Sequence, residues 1–184
     1  MPAERTLDPF ADEPCIDAAI ARVPAPALIS LSIAAVAIGV GQGALDDVVE
    51  IASTKTPLLA DSTLALNPHF QFVLANADTT LRAARALLYE NAEATWATVA
   101  EGSPLSFTER ARIRATAVWA TNRAVEVVTD AYHAGGGSPI YSTSPLQRRL
   151  RDINTLAQHF LVRNDTMTTA GAILAGLDVS PAVF

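Results

Sequence analysis

The sequence contains very little cysteine, lysine and aromatic side chain. Of its 184 residues only Cys15 is a cysteine and 6% are aromatic, and Lys55 is the single lysine. One thiol supports neither a disulfide framework nor a thiolate metal site, so we expect a reducing compartment, the cytoplasm. The net charge is −6, and no basic run is longer than Arg148-Arg149. A nucleic-acid partner is therefore not expected, because neutralising phosphates needs clustered basic residues.

Glycine and proline are also scarce, whereas alanine is abundant. The chain has nine glycines, eleven prolines and 35 alanines, and half of its residues are hydrophobic. This balance excludes a collagenous, low-complexity or fully disordered chain. It predicts one domain that is large enough to bury a sizeable core.

One long uncharged run, from Val23 to Leu45, has the length of a membrane span. Its composition favours a different interpretation, because Pro24 and Pro26 begin it and many of its residues are alanine or serine. The charged residues before it are mostly acidic, which is the wrong charge for a signal peptide. We therefore predict the buried central helix of a bundle and no membrane insertion.

The pattern as a whole predicts an all-α protein, an antiparallel four-helix bundle over residues 25–184. Residues 1–24, which are rich in proline and acidic side chains, are predicted to form an extended arm. The first helix spans about residues 27–53, and a connector containing Pro57 follows it. No alternating run of β-branched residues is long enough for a strand.

Local signals mark the other helix ends. Asn67-Pro68 is an N-cap followed by a first-turn proline, and Ser106 to Glu109 form a capping box. Gly135-Gly136-Gly137 ends the third helix, and Ser144-Pro145 begins the fourth. We predict that the fourth helix continues to about Ala175, either unbroken or with a break.

Three kinds of chemistry are not supported by the residues. The stretch Gly39-Val40-Gly41-Gln42-Gly43 follows a helical run instead of a strand, so small residues for close helix packing explain it better than a dinucleotide fingerprint. Asp130 and His133 form only half of a di-iron motif, so no metal is expected. A nucleophile elbow for a hydrolase is absent.

The segment around the three consecutive glycines has two possible interpretations. Its exposed N–H groups and the helix start at Ser144 suit a phosphate cradle, but an ordinary helix C-cap and loop is favoured from the residues alone. Arg148 and Arg149 suit either a neighbouring helix or a nucleotide, and Arg151 and Asp152 suit a structural role. His159 lies on an apolar segment, where a lone histidine is usually buried in the core.

The stretch GGGSPIYSTSPLQRRLRDINTLAQHF resembles the signature of the C-terminal helical domain of the acyl-CoA dehydrogenase superfamily. That signature is a Gly-Gly turn, a proline seven or eight residues later, a basic residue and an Arg-Asp pair. The helices ending IGVGQGALDDVVEIAS and containing FQFVLANADTTLRAARALLYENA are similar to the two preceding helices of that domain. The resemblance covers about residues 25 to 176 and implies the same helical fold.

The resemblance also separates two groups within the superfamily. Dehydrogenases commonly carry a catalytic glutamate in a Tyr-Glu-Gly-Thr stretch, whereas this sequence has Gln158-His159-Phe160-Leu161 there and no carboxylate. The glutamine-histidine ending looks more like the flavin-dependent two-component monooxygenases. In that group a histidine placed like His159 faces the flavin and the substrate, where it would donate a hydrogen bond to a flavin hydroperoxide or polarise a substrate hydroxyl.

By the same resemblance, reduced FAD or FMN is the expected cofactor. Gly136, Gly137 and Ser138 would approach the flavin phosphates, often across a subunit boundary, and Lys55 would be a further phosphate contact. The resemblance implies a dimer or tetramer, and a flavin reductase as a partner. Family members also have an N-terminal helical domain and a central β-domain, which this sequence lacks, so we expect no turnover by the chain alone.

Two alternatives remain open at this point. The same bundle would also serve as a non-catalytic assembly module that only oligomerises. An acyl-CoA dehydrogenase-like reaction would require a carboxylate from another position, such as Glu90 or Glu93.

Overall fold

The structure is a computed structural model that describes residues 16–179. Within that range it is all-helical and contains no β-strand, which confirms the predicted fold class. The five α-helices are α1 (Ala25–Thr54), α2 (Pro68–Ala100), α3 (Phe107–Ala134), α4 (Pro145–Leu156) and α5 (Asp165–Leu174). Short 3-10 turns lie at Ala19–Arg22, Leu64–Leu66 and Ser138–Ile140.

The predicted arm over residues 1–24 lies only partly within this range. Its first fifteen residues, including Cys15, fall outside the described residues. Its last residues contact the bundle, because Val23 is buried with Val99 at the end of α2 and Ile113 on α3. Arg22 also donates a hydrogen bond to the Val99 carbonyl at 3.2 Å.

Two of the three predicted helix starts have the predicted side-chain caps. Asn67 Oδ1 accepts the backbone N–H groups of His69 and Phe70 at the start of α2. Ser106 and Glu109 form a complete capping box at the start of α3. The prediction was wrong for Ser144, whose side chain makes no capping bond to α4 although Pro145 occupies the first helical position.

The contacts at the two ends of α1 define the directions of the first three helices. Arg22, just before α1, lies at the end of α2, so α1 and α2 run in opposite directions. Lys55, just after α1, donates to the carbonyl of Gly135, just after α3. Helices α1 and α3 therefore run in the same direction, and α2 runs in the opposite direction.

The predicted fourth helix is two helices separated by a turn over residues 157–164. Helix α4 begins beside the end of α3, where Leu146 packs next to Gly135. Further along, Ala170 on α5 is buried with Ala111 near the start of α3. The turn between them buries Leu161 and Val162, which are 2% and 1% exposed. The helix is therefore interrupted at the residues whose side chains are buried in the core.

The core between α1 and α3 consists mainly of small residues. On α1 the buried positions are Ala27, Ser30, Ala34, Ala37, Ile38, Gly41, Ala44, Leu45, Val48 and Ala52. A Cβ added at Gly41 would lie 2.9 Å from the Leu81 side chain, so this glycine serves close helix packing, as the sequence indicates. By length and composition α1 is also the one helix within residues 16–179 that would allow a membrane crossing.

An ion pair joins α4 to α1. The guanidinium of Arg149 donates from Nε and Nη2 to the carboxylate of Asp47, whose side chain is 15% exposed. The hydrogen bond to Asp47 is the largest cause that raises the pKa of Arg149. The guanidinium lies directly over Gly43, where an added Cβ would overlap it. The guanidinium of Arg149 therefore occupies the volume that a side chain at position 43 would need.

We expect alanine to have opposite effects at Gly43 and Gly39. At Gly39 an added Cβ meets no atom within 4 Å, so Gly39→Ala should raise the free energy of unfolding by up to about 1 kcal/mol, the usual helical gain. Gly43→Ala should lower it by about 1–3 kcal/mol, because the arginine must leave a largely buried carboxylate. Urea unfolding followed by circular dichroism measures both, and equal gains at the two positions would contradict the packing described.

The capping box at α3 makes part of the stability depend on pH. The backbone N–H of Ser106 donates to Glu109 at 2.7 Å, and Thr98 donates to the same carboxylate at 3.2 Å. Hydrogen bonds from Ser106 are the largest cause that lowers the pKa of Glu109 from its usual 4.5. The carboxylate therefore stabilises the fold above pH 4.5, and this contribution is lost as the pH falls through the lowered pKa.

Glu109→Gln should therefore weaken the loss of stability on acidification. Between neutral pH and a pH below 4.5, the urea midpoint of the unsubstituted chain should fall further than that of the variant. Glu93→Gln, on the exposed surface of α2, removes the same charge outside the capping box. The two variants should differ, and identical pH profiles for them would refute the role of Glu109.

Candidate functional site

The three consecutive glycines between α3 and α4 have three different roles. Gly135 is buried, and an added Cβ would lie 2.6 Å from Pro139 Cγ. Gly136 has a φ of +63°, a left-handed conformation that glycine adopts without a steric penalty. A Cβ at Gly137 would meet no atom within 4 Å. Only the last of these positions opens onto free space.

This turn presents backbone donors that the protein does not use. The N–H groups of Gly135 and Gly136 bond to the carbonyls of Ala131 and His133. Within residues 16–179, no acceptor is found for the N–H groups of Gly137 and Ser138. Unpaired N–H groups beside a helix N-terminus favour an anion.

Lys55 lies at the same turn. Its Nζ donates to the Gly135 carbonyl at 2.7 Å and would lie 3.0 Å from a Cβ placed on Gly136. The ammonium therefore caps the C-terminal end of α3, where the helix dipole favours a positive charge. An ammonium group has three protons, so this bond leaves two for another acceptor.

His159 lies in the turn that follows α4 and is exposed. The expectation of a buried core histidine is therefore wrong, because the chain leaves the α4 helix before this residue. Its Nδ1 accepts the backbone N–H of Leu161 at 3.3 Å. Its ring stacks on Phe160 with a centroid separation of 4.9 Å.

The structure brings Lys55 and the glycine turn together but places His159 elsewhere. The turn precedes α4 and His159 follows it, and the twelve residues of α4 extend about 18 Å. The two sets of predicted site residues therefore lie at opposite ends of one helix. The contact between Lys55 and Gly135 was not predicted from the sequence, because the two residues are 80 positions apart and no local pattern links them.

Two of the three arginines of α4 form ion pairs within the protein. Arg149 pairs with Asp47 on α1, as described above, and Arg148 pairs with Asp152 on its own helix at 3.3 Å. Of the two interpretations of this cluster, contact with a neighbouring helix is the one observed for Arg149. Arg151 lies on the exposed side of α4.

In the described part of the chain, the remaining polar groups do not form a metal centre. Among residues 16–179, no cluster of three His, Cys, Asp or Glu side chains is arranged to hold a metal ion. Asp130 and His133 line a pocket of about 350 Å³ with His69, between the start of α2 and the end of α3. Glu90 lines a different pocket, between α2, α3 and α5, and Glu93 is exposed on α2.

An apolar groove runs between α1 and α2 on the surface of the bundle. Its volume is about 590 Å³, and it is lined by Leu28, Leu31, Ser32, Ala35, Ile38, Gly39, Gln42, Gly43, Asp46, Arg85, Leu88, Tyr89 and Ala92. Tyr89 is 54% exposed, and the Arg85 guanidinium lies 5.6 Å from the centre of its ring. The groove therefore leaves apolar side chains of both helices open to solvent.

Comparison with known proteins gives a consistent family match. The family profile described as "Acyl-CoA dehydrogenase, C-terminal domain" matches residues 31–164. Indole-3-acetate monooxygenase of Pseudomonas putida is 30% identical over 169 residues, which are 92% of this chain and 43% of that protein. A pigment production hydroxylase of Rhodococcus erythropolis is 30% identical over 155 residues, 84% of this chain and 39% of that protein.

A solved structure agrees with the sequence matches. XiaF from a Streptomyces species, in complex with FADH2 and glycerol, superposes with a TM-score of 0.83 and 26% identity. The alignment covers 89% of this chain and 42% of that protein. The chain thus spans about two fifths of the length of the proteins that it matches.

Proposed function

Because the chain belongs to the acyl-CoA dehydrogenase family and matches its C-terminal domain, we propose that it is the flavin- and substrate-contacting bundle of a flavin-dependent monooxygenase. The alignment with indole-3-acetate monooxygenase over 92% of the chain supports the monooxygenase group. The absence of a carboxylate from Gln158 to Leu161 supports the same choice over an acyl-CoA dehydrogenase reaction. The cofactor is reduced FAD or FMN, as the FADH2 complex of XiaF suggests.

The glycine turn is the proposed contact for the flavin phosphates. The observation that carries this assignment is the pair of unused N–H groups on Gly137 and Ser138, next to open space. Gly136 contributes the left-handed turn that exposes them. Lys55 lies beside them and adds positive charge, with two ammonium protons left after the bond to Gly135. The unused backbone donors and the positive charge of Lys55 suit an anionic phosphate group.

His159 is the proposed residue at the reaction centre. Reduced flavin, when bound, supplies two electrons, so that one atom of O2 enters the substrate and the other leaves as water. His159 would donate a hydrogen bond to a reacting oxygen, which an exposed imidazole is able to do. The turn after α4 positions the ring by the Leu161 N–H and by the stacked ring of Phe160.

The 184 residues correspond to only part of the matched proteins. The matched proteins are more than twice as long, so the regions that complete the flavin pocket would come from further domains or a companion chain. A flavin reductase would supply the reduced cofactor. We also propose a homo-oligomer, a dimer or tetramer, because the groove between α1 and α2 leaves apolar side chains exposed. We propose a cytoplasmic location because the sequence contains a single cysteine.

Flavin titration of the chain, reconstituted with the missing regions of a relative, tests the proposal. We expect Gly137→Ala to weaken flavin binding about tenfold or more, because a methyl group would take up open space next to the unused backbone donors of Gly137 and Ser138. The free energy of unfolding should not fall and should rise by up to about 1 kcal/mol, because Gly137 has an ordinary φ of −75° and no close neighbours. Flavin fluorescence measures the affinity and urea unfolding measures the stability.

Gly171→Ala is the matched control, since an added methyl group there also meets no atom within 4 Å, but Gly171 lies on α5, outside both the glycine turn and the apolar groove. It should leave flavin binding unchanged. If no flavin binding is detected while light scattering shows a stable oligomer, the non-catalytic assembly module is the better description. The apolar groove between α1 and α2 is the observation that favours this second function.

His159→Ala should uncouple the reconstituted enzyme. Without the imidazole, O2 consumption should continue while the fraction that hydroxylates the substrate falls about tenfold or more, because a positioned proton donor is lost. An oxygen electrode and product analysis measure the two quantities. Unchanged coupling would remove His159 from the reaction centre.

A further inference from the structure

The turn after α4 holds the His159 ring by its own backbone. The His159 N–H donates to the Leu156 carbonyl at 3.0 Å, and the His159 carbonyl accepts the Val162 N–H at 2.9 Å. Between these bonds the Leu161 N–H donates to Nδ1 of the His159 ring at 3.3 Å. Both the backbone and the ring of this residue are therefore fixed by the same few peptide groups.

The buried side chains after His159 anchor this arrangement. Leu161 and Val162 are 2% and 1% exposed, so their peptide groups follow the position of the core. The stacked ring of Phe160 supports one face of the imidazole, with an angle of 27° between the two ring planes. The N–H of Leu161, a residue buried in the core, thus donates to the ring of His159, which is otherwise exposed.

A backbone N–H can bond only to an imidazole nitrogen that carries a lone pair. Because Leu161 donates to Nδ1, the proton of the neutral ring must be on Nε2. We infer that Leu161 holds His159 as the Nε2–H tautomer, so that the neutral ring presents a hydrogen-bond donor, and not a base, to the bound reactants. The part of this inference that concerns reactants rests on the proposed function, whereas the tautomer does not.

This tautomer restricts what His159 does at a reaction centre. A ring with its proton on Nε2 stabilises an acceptor oxygen, such as that of an ionised hydroxyl or a carbonyl group. Removing a proton from the substrate at Nε2 would require the other tautomer, which breaks the bond from Leu161. The chain therefore suits substrates that bring an oxygen acceptor to this position.

The tautomer is tested first, in the chain alone and without flavin. Nitrogen NMR of the histidine-labelled chain, at a pH well above the ordinary imidazole pKa of about 6.5, distinguishes a protonated from an unprotonated ring nitrogen. The His159 signals are identified by their loss in His159→Gln. The rings of His69 and His133 make no hydrogen bond within residues 16–179. Because an imidazole without such a bond exchanges between both tautomers, these two residues serve as internal references.

We expect His159 to carry its proton on Nε2 to a greater extent than either reference. The same mixture of tautomers in all three rings, or a proton on Nδ1, would overturn the inference. Neither result depends on whether the chain is part of a monooxygenase.

Two substitutions then separate the two nitrogens of the ring. In His159→Asn the side-chain oxygen can take the place of Nδ1 and keep the bond from Leu161, but the donor at the Nε2 position is lost. In His159→Gln the amide group can reach the Nε2 position, but the acceptor near Leu161 is lost. Hydrogen exchange of the Leu161 amide should accelerate about three- to tenfold in the glutamine variant and much less in the asparagine variant.

In the reconstituted enzyme the order should reverse. The glutamine variant should retain more hydroxylation per O2 consumed than the asparagine variant, because it keeps a donor at the Nε2 position. Better coupling in the asparagine variant, or equal coupling in both, would overturn the donor role even if the tautomer is as inferred. Failure of flavin to bind at all would instead contradict the proposed function and leave the tautomer result standing.

Discussion

The close approach of α1 to α3 is the constraint on which the rest of the structure depends. The surface of α1 that faces α3 consists mainly of alanine and glycine. On α3 the facing side chains include Ala117, Ala120 and Ala124. Side chains of this size let two backbones approach at the short end of the usual interhelical distance of about 8–10 Å. The dispersion attraction between any two of these atoms is weak, but it adds up along the thirty residues of α1. A larger side chain in this interface would move α1 away from the groups that it contacts at both ends.

The sequence predicts those parts of this fold that depend on neighbouring residues. Asn67 and Ser106 mark helix starts because a cap needs only residues two or three positions away. Ser144 has the same local pattern but no capping bond, because its side chain is turned into the protein. The break between α4 and α5 follows from the burial of Leu161 and Val162, which is a property of the assembled core. No local pattern specifies such a property.

The two parts of the candidate site, the glycine turn before α4 and His159 after it, were not equally predictable from the sequence. The glycine turn has a local signal, yet the separate roles of its three glycines depend on Pro139, on the backbone angle and on open space. His159 was identified only through the family resemblance, since its position on an apolar segment suggested burial. The pairing of Arg149 with Asp47 joins residues that are far apart in sequence, and it fixes α4 against α1. The helix that carries both ends of the site is therefore oriented by a contact that composition alone does not indicate.

The two cations that flank α1 have a consequence for the length of this helix. Arg22 reaches the last turn of α2, and Lys55 reaches the last carbonyl of the α3 cap, so α1 is attached to its neighbours at both of its ends. Each inserted residue would lengthen an α-helix by about 1.5 Å and rotate everything after it by about 100°. An insertion or deletion within α1 would therefore misalign one of the two attachments as well as the alanine face. The connectors of this chain therefore tolerate a change of length better than α1, whose two attachments together require its present number of residues.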